Sequence, residues 1–334
     1  MCATTPQQRI PGREPTIVTV TLNPSLDRTI EVVMLDRGSV QRVTTARLDP
    51  GGKGVNVARA LLANDVAARA VVPVAGREGD QLIELLEREG VGVEIVRIHG
   101  RTRSNTAVVE ADGTVTKLNE PGPTLTDADL DTVAGAVLSA AEPGSWVALC
   151  GSLPPGLPVS AYATLTQLFR AAGLRVVVDS SGAAFRAAIA AGPDLVKPNT
   201  EELSEAVGRP LRTLGEIVDA ARELQDAGAR TVLVSCGADG AVLVGDEIML
   251  GLSPVGDPRS SVGAGDAFLA GFLAAEGAGS SPSESFAEAL AWGAAAVRLP
   301  GSRMPAPSDI DRSIVHVSAG SAHDRIATLT EGRA

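Results

Sequence analysis

Aromatic residues are scarce: five Phe, two Trp and one Tyr make up 2% of the 334-residue chain. So few rings cannot build the stacking platforms with which single-strand nucleic-acid binders hold bases, and the core must be aliphatic. Positive charge is in the minority as well. With 29 Lys and Arg against 40 Asp and Glu, the formal net charge is -11, a field that repels nucleic acid and anionic membranes, so neither is an expected partner. Cys2, Cys150 and Cys236 lie far apart with no CxxC pair. That excludes a disulfide framework and a zinc site, and a reducing, cytoplasmic location is the expectation. His99, His316 and His323 show no ligand spacing. No run approaches the ~18 apolar residues of a membrane span. Residues 1–15 lack the apolar stretch of a signal peptide and are expected to be a disordered leader.

What is present is ordinary for a globular chain, 44% hydrophobic and 21% charged, and the length suits one large α/β domain with a small appendage. Short β-branched runs alternate with segments of helical period, the pattern of βαβ units around a mostly parallel sheet. The runs 16–22, 146–150, 176–179, 195–197 and 231–235 are nearly all apolar, as strands covered on both faces are. Thr126 followed by Asp129 predicts a capping box, with Leu130, Val133 and Val137 as the buried stripe of the helix it opens. Gly90, Gly173 and Gly228 each end a helical run, where a glycine takes positive φ without strain. Two stretches break the alternation. Residues 29–48 and 103–118 read as β without intervening helices, the second turning at Asp112-Gly113, and predict a small separate sheet. Residues 242–252 read as a hairpin within the main sheet, and the chain after Val317 as a polar, mobile tail (318–334).

Two glycine-rich turns carry the candidate chemistry. Ser260-Ser261-Val262-Gly263-Ala264-Gly265-Asp266 runs into an apolar helix. Small residues at a helix entrance let backbone N–H groups converge on an anion, and Asp266 in the first turn could take a proton from a hydroxyl attacking a phosphate held there. Taken alone, the same segment could equally be a turn whose Asp is an ordinary helix acid. Gly51-Gly52-Lys53-Gly54-Val55-Asn56 opens another helix, with glycines for close approach and a cation and an amide for contact. Neither segment fits the Walker A or GxGxxG spacing.

Together the two turns, Gly51 to Arg59 and Val262 to Asp266, resemble the two signatures of the ribokinase/PfkB family of carbohydrate kinases. Four further segments resemble its phosphosugar branch: residues 21–27 (Thr-Leu-Asn-Pro-Ser-Leu-Asp), 100–105 (Gly-Arg-Thr-Arg-Ser-Asn), 151–156 (Gly-Ser-Leu-Pro-Pro-Gly) and 196–202 (Val-Lys-Pro-Asn-Thr-Glu-Glu). The resemblance spans roughly residues 16–310. It implies a ribokinase-like three-layer α/β/α sandwich over residues 16–317, with a small β-sheet lid from 29–50 and 101–119. It also implies transfer of a phosphoryl group from ATP, with Mg²⁺, to a sugar that already carries a phosphate. The Gly100–Arg103 segment and Lys53 point to the 6-hydroxyl of fructose 1-phosphate, ahead of fructose 6-phosphate or tagatose 6-phosphate. A non-catalytic sugar-phosphate sensor on the same fold is the alternative from another class.

By the same resemblance, Asp266 is the general base and Gly263, Ala264 and Gly265 form the anion hole. Asp27, Gly51, Gly52, Asn56 and Ser152 bind the sugar, and Lys53 and Arg103 grip the phosphate already on it. Lys197, Asn199, Ser235, Gly237 and Gly240 hold the nucleotide, and Glu202 reaches the metal through water. A homodimer through the lid is implied too. Ser260 and Cys236 depart from the residues common at their positions, and Arg28 matches no assigned role.

Overall fold

A computed structural model of the protein describes residues 17–43 and 45–320; the predicted leader and nearly all of the predicted tail lie outside them. The chain alternates strands and helices as expected. Its strands are β1 (Ile17–Thr21), β2 (Ser25–Glu31), β3 (Thr45–Gly51), β4 (Ala68–Val74), β5 (Gly92–Arg97), β6 (Arg103–Val109) and β7 (Val115–Leu118), followed by β8 (Trp146–Cys150), β9 (Arg175–Asp179), β10 (Leu195–Val196), β11 (Val232–Ser235), β12 (Ala241–Val244), β13 (Ile248–Leu252) and β14 (His316–Ala319). Helices α1 (Lys53–Ala63), α2 (Gly76–Arg88), α3 (Asp127–Ala140), α4 (Ala161–Ala171), α5 (Gly182–Ile189), α6 (Thr200–Val207), α7 (Leu214–Asp226), α8 (Ala264–Gly277) and α9 (Pro282–Val297) lie between them.

Ten strands form one sheet in the order β14-β13-β12-β11-β10-β9-β8-β1-β4-β5. Pairing is parallel from β11 through β5 and antiparallel across β11-β12-β13-β14. Alternation along the strands splits their side chains between two cores. Val18, Val147, Leu149, Val176 and Val178 face the layer that includes α3, α4 and α7. Ala148, Cys150, Val177 and Leu233 face α1, α8 and α9. Both tryptophans belong to this second core: Trp146 carries the Arg175 guanidinium 4.0 Å over its ring, and Trp292 donates its indole N–H to Glu288 at 2.9 Å. The Thr126 capping box forms with Asp129, and Leu130, Val133 and Val137 are buried as read. Gly90, Gly173 and Gly228 all take positive φ.

The remaining strands make the separate lid, a four-stranded sheet ordered β3-β2-β6-β7. It is wider than the sequence suggested. β2 begins at Ser25 and β3 runs to Gly51, so Asp27 sits in a strand, opposite Asp49 on one side and Asn105 on the other. At the far edge of the main sheet, Ser318 and Ala319 belong to β14 rather than to a mobile tail. They pair with Leu250 and Met249 of β13, which would otherwise present an open edge.

Candidate active site

In an open α/β sheet, ligands bind beyond the carboxyl ends of the parallel strands, where the strand order reverses. Here the reversal lies between β1, which continues outward to β4 and β5, and β8, which begins the opposite half. Near it lie the two glycine-rich turns with Asp27, Asn56 and Asp266, while Ser235, Gly237 and Gly240 follow β11, three strands further along.

Lid strand β3 feeds α1 through the Gly51–Gly54 turn, which packs against the end of β1. Gly52 has φ 118, closed to most side chains, and a Cβ on Gly54 would lie 2.6 Å from Thr21 Oγ1. That hydroxyl instead accepts the Val55 N–H at 2.9 Å. The turn thereby puts Lys53 and Asn56 on the first turn of α1, pointing at two different partners.

Asn56 Nδ2 donates to Asp266 Oδ2 at 2.8 Å. Asp266 stands in the first turn of α8, which is capped by Gly263 at φ 80. The amides that open a helix lack intrahelical acceptors, so those of Gly265 and Asp266 are free to face an anion. The Ala264 N–H is partly engaged, with a turn bond to Ser261 O at 3.3 Å. Burial and the negative charge of Asp179 push the Asp266 carboxyl up to about 6, against the opposing pull of Asn56, Lys53 and Lys197. A carboxylate that titrates just below neutrality is matched to proton abstraction.

The Lys53 ammonium bonds Asp179 Oδ1 at 2.8 Å and Glu202 Oε1 at 3.0 Å. Two carboxylates at the ends of neighbouring segments draw it across the sheet edge. Although burial disfavours its charge, those two acids and the more distant Asp266 outweigh burial and raise its pKa. Asp179 also meets Lys197 Nζ, at 3.3 Å from Oδ2, an ion-pair contact without a well-aligned hydrogen bond. Burial alone would raise the Asp179 pKa, but Lys197 and Lys53 together hold it below the usual carboxylate range. A Cβ on Gly265 would lie 3.6 Å from Lys197 Nζ, so this ammonium sits against the entrance of α8.

Glu202 is doubly engaged. With Asn199 it forms the capping box of α6, Asn199 N–H to Glu202 Oε2 at 2.9 Å and Glu202 N–H to Asn199 Oδ1 at 2.7 Å, while Oε1 meets Lys53. Among the described residues no group of three or more His, Cys, Asp or Glu could hold a metal ion. This donor set fits an ion carried mainly by nucleotide phosphates and water, with one carboxylate nearby, the arrangement magnesium ordinarily takes. Asn199 bridges to Ser235 at the end of β11, and the turn that follows contains Gly237 and Gly240, both at positive φ.

The lid supplies the other side. Asp27 Oδ1 accepts from Ser25 Oγ at 2.7 Å and Asn105 Nδ2 at 3.0 Å. Gly51 lies directly against the Asp27 carboxylate, where any Cβ would collide with it. Arg103 uses Nη2 on Asn23 O at 2.9 Å and Nη1 on Glu120 O at 3.3 Å. Its Nε is buried without a partner, as is Asn23 Oδ1. Burial lowers the Arg103 pKa, and nearby Asp27 opposes the shift. Asn23 Nδ2 approaches Ser152 Oγ at 3.5 Å. Unsatisfied buried polar atoms on this wall suit a polar ligand.

Sequence reasoning gave Asp179, Asn105 and Asn23 no role. Asp179 had a visible signal, an acid ending the buried Val176-Val177-Val178 run just before Ser180-Ser181-Gly182.

A ten-stranded α/β sheet with a detached β lid, and an acid held at a glycine-capped helix entrance between them, defines a ribokinase-like sugar kinase, a phosphotransferase acting on an alcohol group. The chain belongs to the pfkB family of carbohydrate kinases, whose model matches residues 20–309. It is 42% identical over 295 residues to a 1-phosphofructokinase of Rhodobacter capsulatus, covering 87% of this chain and 93% of that one. To the ATP-dependent 6-phosphofructokinase isozyme 2 of Escherichia coli (strain K12) it is 37% identical over 310 residues, covering 90% and 99%. Phosphofructokinase-2 from Escherichia coli, solved in complex with substrates and products, superposes with a TM-score of 0.83 at 35% identity, covering 88% of this chain and 96% of that one.

Proposed function

We propose that this kinase phosphorylates D-fructose 1-phosphate at its 6-hydroxyl, using ATP, to give D-fructose 1,6-bisphosphate and ADP. Asp266 accepts the hydroxyl proton, the freed oxygen attacks the γ-phosphorus, and the bond from that phosphorus to the β–γ bridging oxygen breaks as ADP leaves. The observation that carries this reading is the Asn56–Asp266 bond at the entrance of α8, which places a carboxylate of pKa about 6 beside helix amides aimed at an anion. Those of Gly263, Ala264 and Gly265 stabilise the negative charge of the transferring group, with the Ala264 amide the weakest contributor. Lys197, Asn199, Ser235, Gly237 and Gly240 line the nucleotide side. Magnesium bound with the nucleotide would neutralise phosphate charge, with Glu202 reaching it through water.

Asp27, Gly51, Gly52, Asn56 and Ser152 receive the sugar, and Lys53 and Arg103 take the phosphate already on it. The name of the Rhodobacter capsulatus relative supports fructose 1-phosphate. The Escherichia coli relative named a 6-phosphofructokinase supports fructose 6-phosphate as the second reading. On the lid, Val33, Met34, Val40 and Leu118 are 77%, 63%, 94% and 62% exposed, apolar surface that supports a homodimer through this sheet. The free thiols of Cys150 and Cys236 suit a reducing cytoplasm.

The test is kcat/KM with Mg·ATP for fructose 1-phosphate, fructose 6-phosphate and tagatose 6-phosphate, in wild type and Asp266→Asn. The expected result is a preference of roughly 10²-fold or more for fructose 1-phosphate, needing only ~3 kcal/mol of differential transition-state binding, with turnover lost in the variant. A different preferred sugar overturns the substrate, and an active Asp266→Asn overturns the base. Turnover of none of the three would move the sensor reading to the front.

A further inference from the structure

Asn56 holds Asp266 with its amide nitrogen, yet nothing in α1 alone decides which end of that amide faces the acid. The decision is made behind it. Arg59, one turn further along α1, places Nη1 3.3 Å from Asn56 Oδ1. A guanidinium only donates, so it accepts the oxygen end of the amide and rejects the nitrogen end. Turning the amide over would set its NH₂ against the guanidinium and its oxygen against the Asp266 carboxylate, two repulsions in place of two hydrogen bonds.

Arg59 is itself pinned. It is 8% exposed, and it grips Glu89 with Nε at 2.6 Å and Nη2 at 2.8 Å. Its Nη1 also reaches Ser302 O at 3.4 Å. Glu89 is 40% exposed and lies with Arg59 in the lining of a cleft of about 530 Å³ between lid strand β3 and the body of the protein. An exposed carboxylate therefore connects through a buried guanidinium and an amide to the buried acid.

We propose that Arg59, held by Glu89, is a positioning residue that locks the Asn56 amide so that its N–H bond to Asp266 is kept. This inference rests on the reading of Asp266 as the base. In wild type that bond favours the charged carboxylate and opposes the upward shift caused by burial. The other groups facing Asp266 are Asp179 at the end of β9, Lys53 on α1, Lys197 after β10 and the Cys150 thiol at the end of β8. All remain in Arg59 and Glu89 variants, so a change in Asp266 would report the amide.

The experiment follows the Asp266 carboxyl directly by ¹³C NMR titration, its signal assigned by its absence in Asp266→Asn, alongside the pH dependence of kcat/KM. In Arg59→Gln and Arg59→Lys, the Asp266 midpoint and the acid limb of activity should both move to higher pH, by roughly half to one unit, while KM for Mg·ATP stays put. Lysine cannot grip both Glu89 oxygens and the amide at once, so retaining the charge should not rescue the lock. Glu89→Gln, which keeps one oxygen acceptor for the Arg59 guanidinium, should move both in the same direction by less. In an Asn56→Ala background, Arg59→Lys should cause no further movement. An Asp266 midpoint unmoved in these variants overturns the inference, as does a full shift from Arg59→Lys when Asn56 is already alanine. If the midpoint moves but the acid limb of activity does not follow it, the lock stands and the assignment of Asp266 as base fails, so the two failures are distinguishable.

Discussion

Both walls of the active site carry charged residues, but they hold them differently. Above the main sheet, Asp179 is fully buried between Lys53 and Lys197, and buried Asp266 is tied to Asn56. On the lid, Asp27 is held by Ser25 and Asn105 from neighbouring sheet positions, and Arg103 leaves Nε unused. The first wall has its charges mutually neutralised before any ligand arrives, which favours chemistry needing little rearrangement. The second holds Asp27 and Arg103 on neutral hydrogen-bond partners, which favours recognition of a polar ligand. On the proposed function, the first wall would serve the reaction and the second would select what enters it.

The sharpest way to break this contrast is Asp179→Asn. It would leave Lys197, only 4% exposed, without its carboxylate partner and Lys53 with Glu202 alone. A loss of about 3–5 kcal/mol in unfolding free energy is expected by denaturant titration. A loss below ~1 kcal/mol would mean the cluster is solvated rather than preorganised. The equivalent change on the lid should leave stability nearly untouched and act on binding. Arg103→Met should raise KM for the phosphosugar about 10- to 100-fold while kcat and KM for Mg·ATP hold, as steady-state kinetics would read. A fall in kcat with unchanged KM would place Arg103 in the chemistry and erase the division. The smallest effect concerns the outer surface of the lid. Leu118→Glu, at a side chain 62% exposed, should shift a lid-mediated dimer toward monomer in sedimentation at micromolar protein without lowering melting temperature. An unchanged sedimentation profile would leave the patch without its proposed partner.

The two walls were also unequally legible in the sequence. The Asp266 turn, the Gly51–Asn56 turn and the Thr126 capping box are local patterns whose geometry follows from neighbouring residues, and they appear where the chain announced them. The lid was legible as two β stretches broken by Asp112-Gly113, but the reach of β2 back to Ser25 was not. Its pairing with β3 and β6 depends on segments far away in the chain. The partners of Lys53 were hidden for the same reason: Asp179 and Glu202 lie 126 and 149 residues away in the chain. Arg59 read as one more residue of the signature, because nothing in its own turn reveals Glu89 or the orientation of the Asn56 amide. Local hydrogen bonds leave a trace in sequence spacing, and charge networks spanning the sheet edge leave almost none.

The placement of Trp146 and Trp292 in one core gives this chain a built-in optical reporter with a restricted field of view. Both indoles lie in the layer with α1, α8 and α9, one beneath Arg175 and the other tied to Glu288, and no tryptophan lies in either lid segment. Intrinsic emission therefore follows the integrity of the layer that contains α8 and is blind to how the lid pairs. A ligand that alters that emission has been felt through α8 and its surroundings, whereas one that engages only the lid passes in the dark.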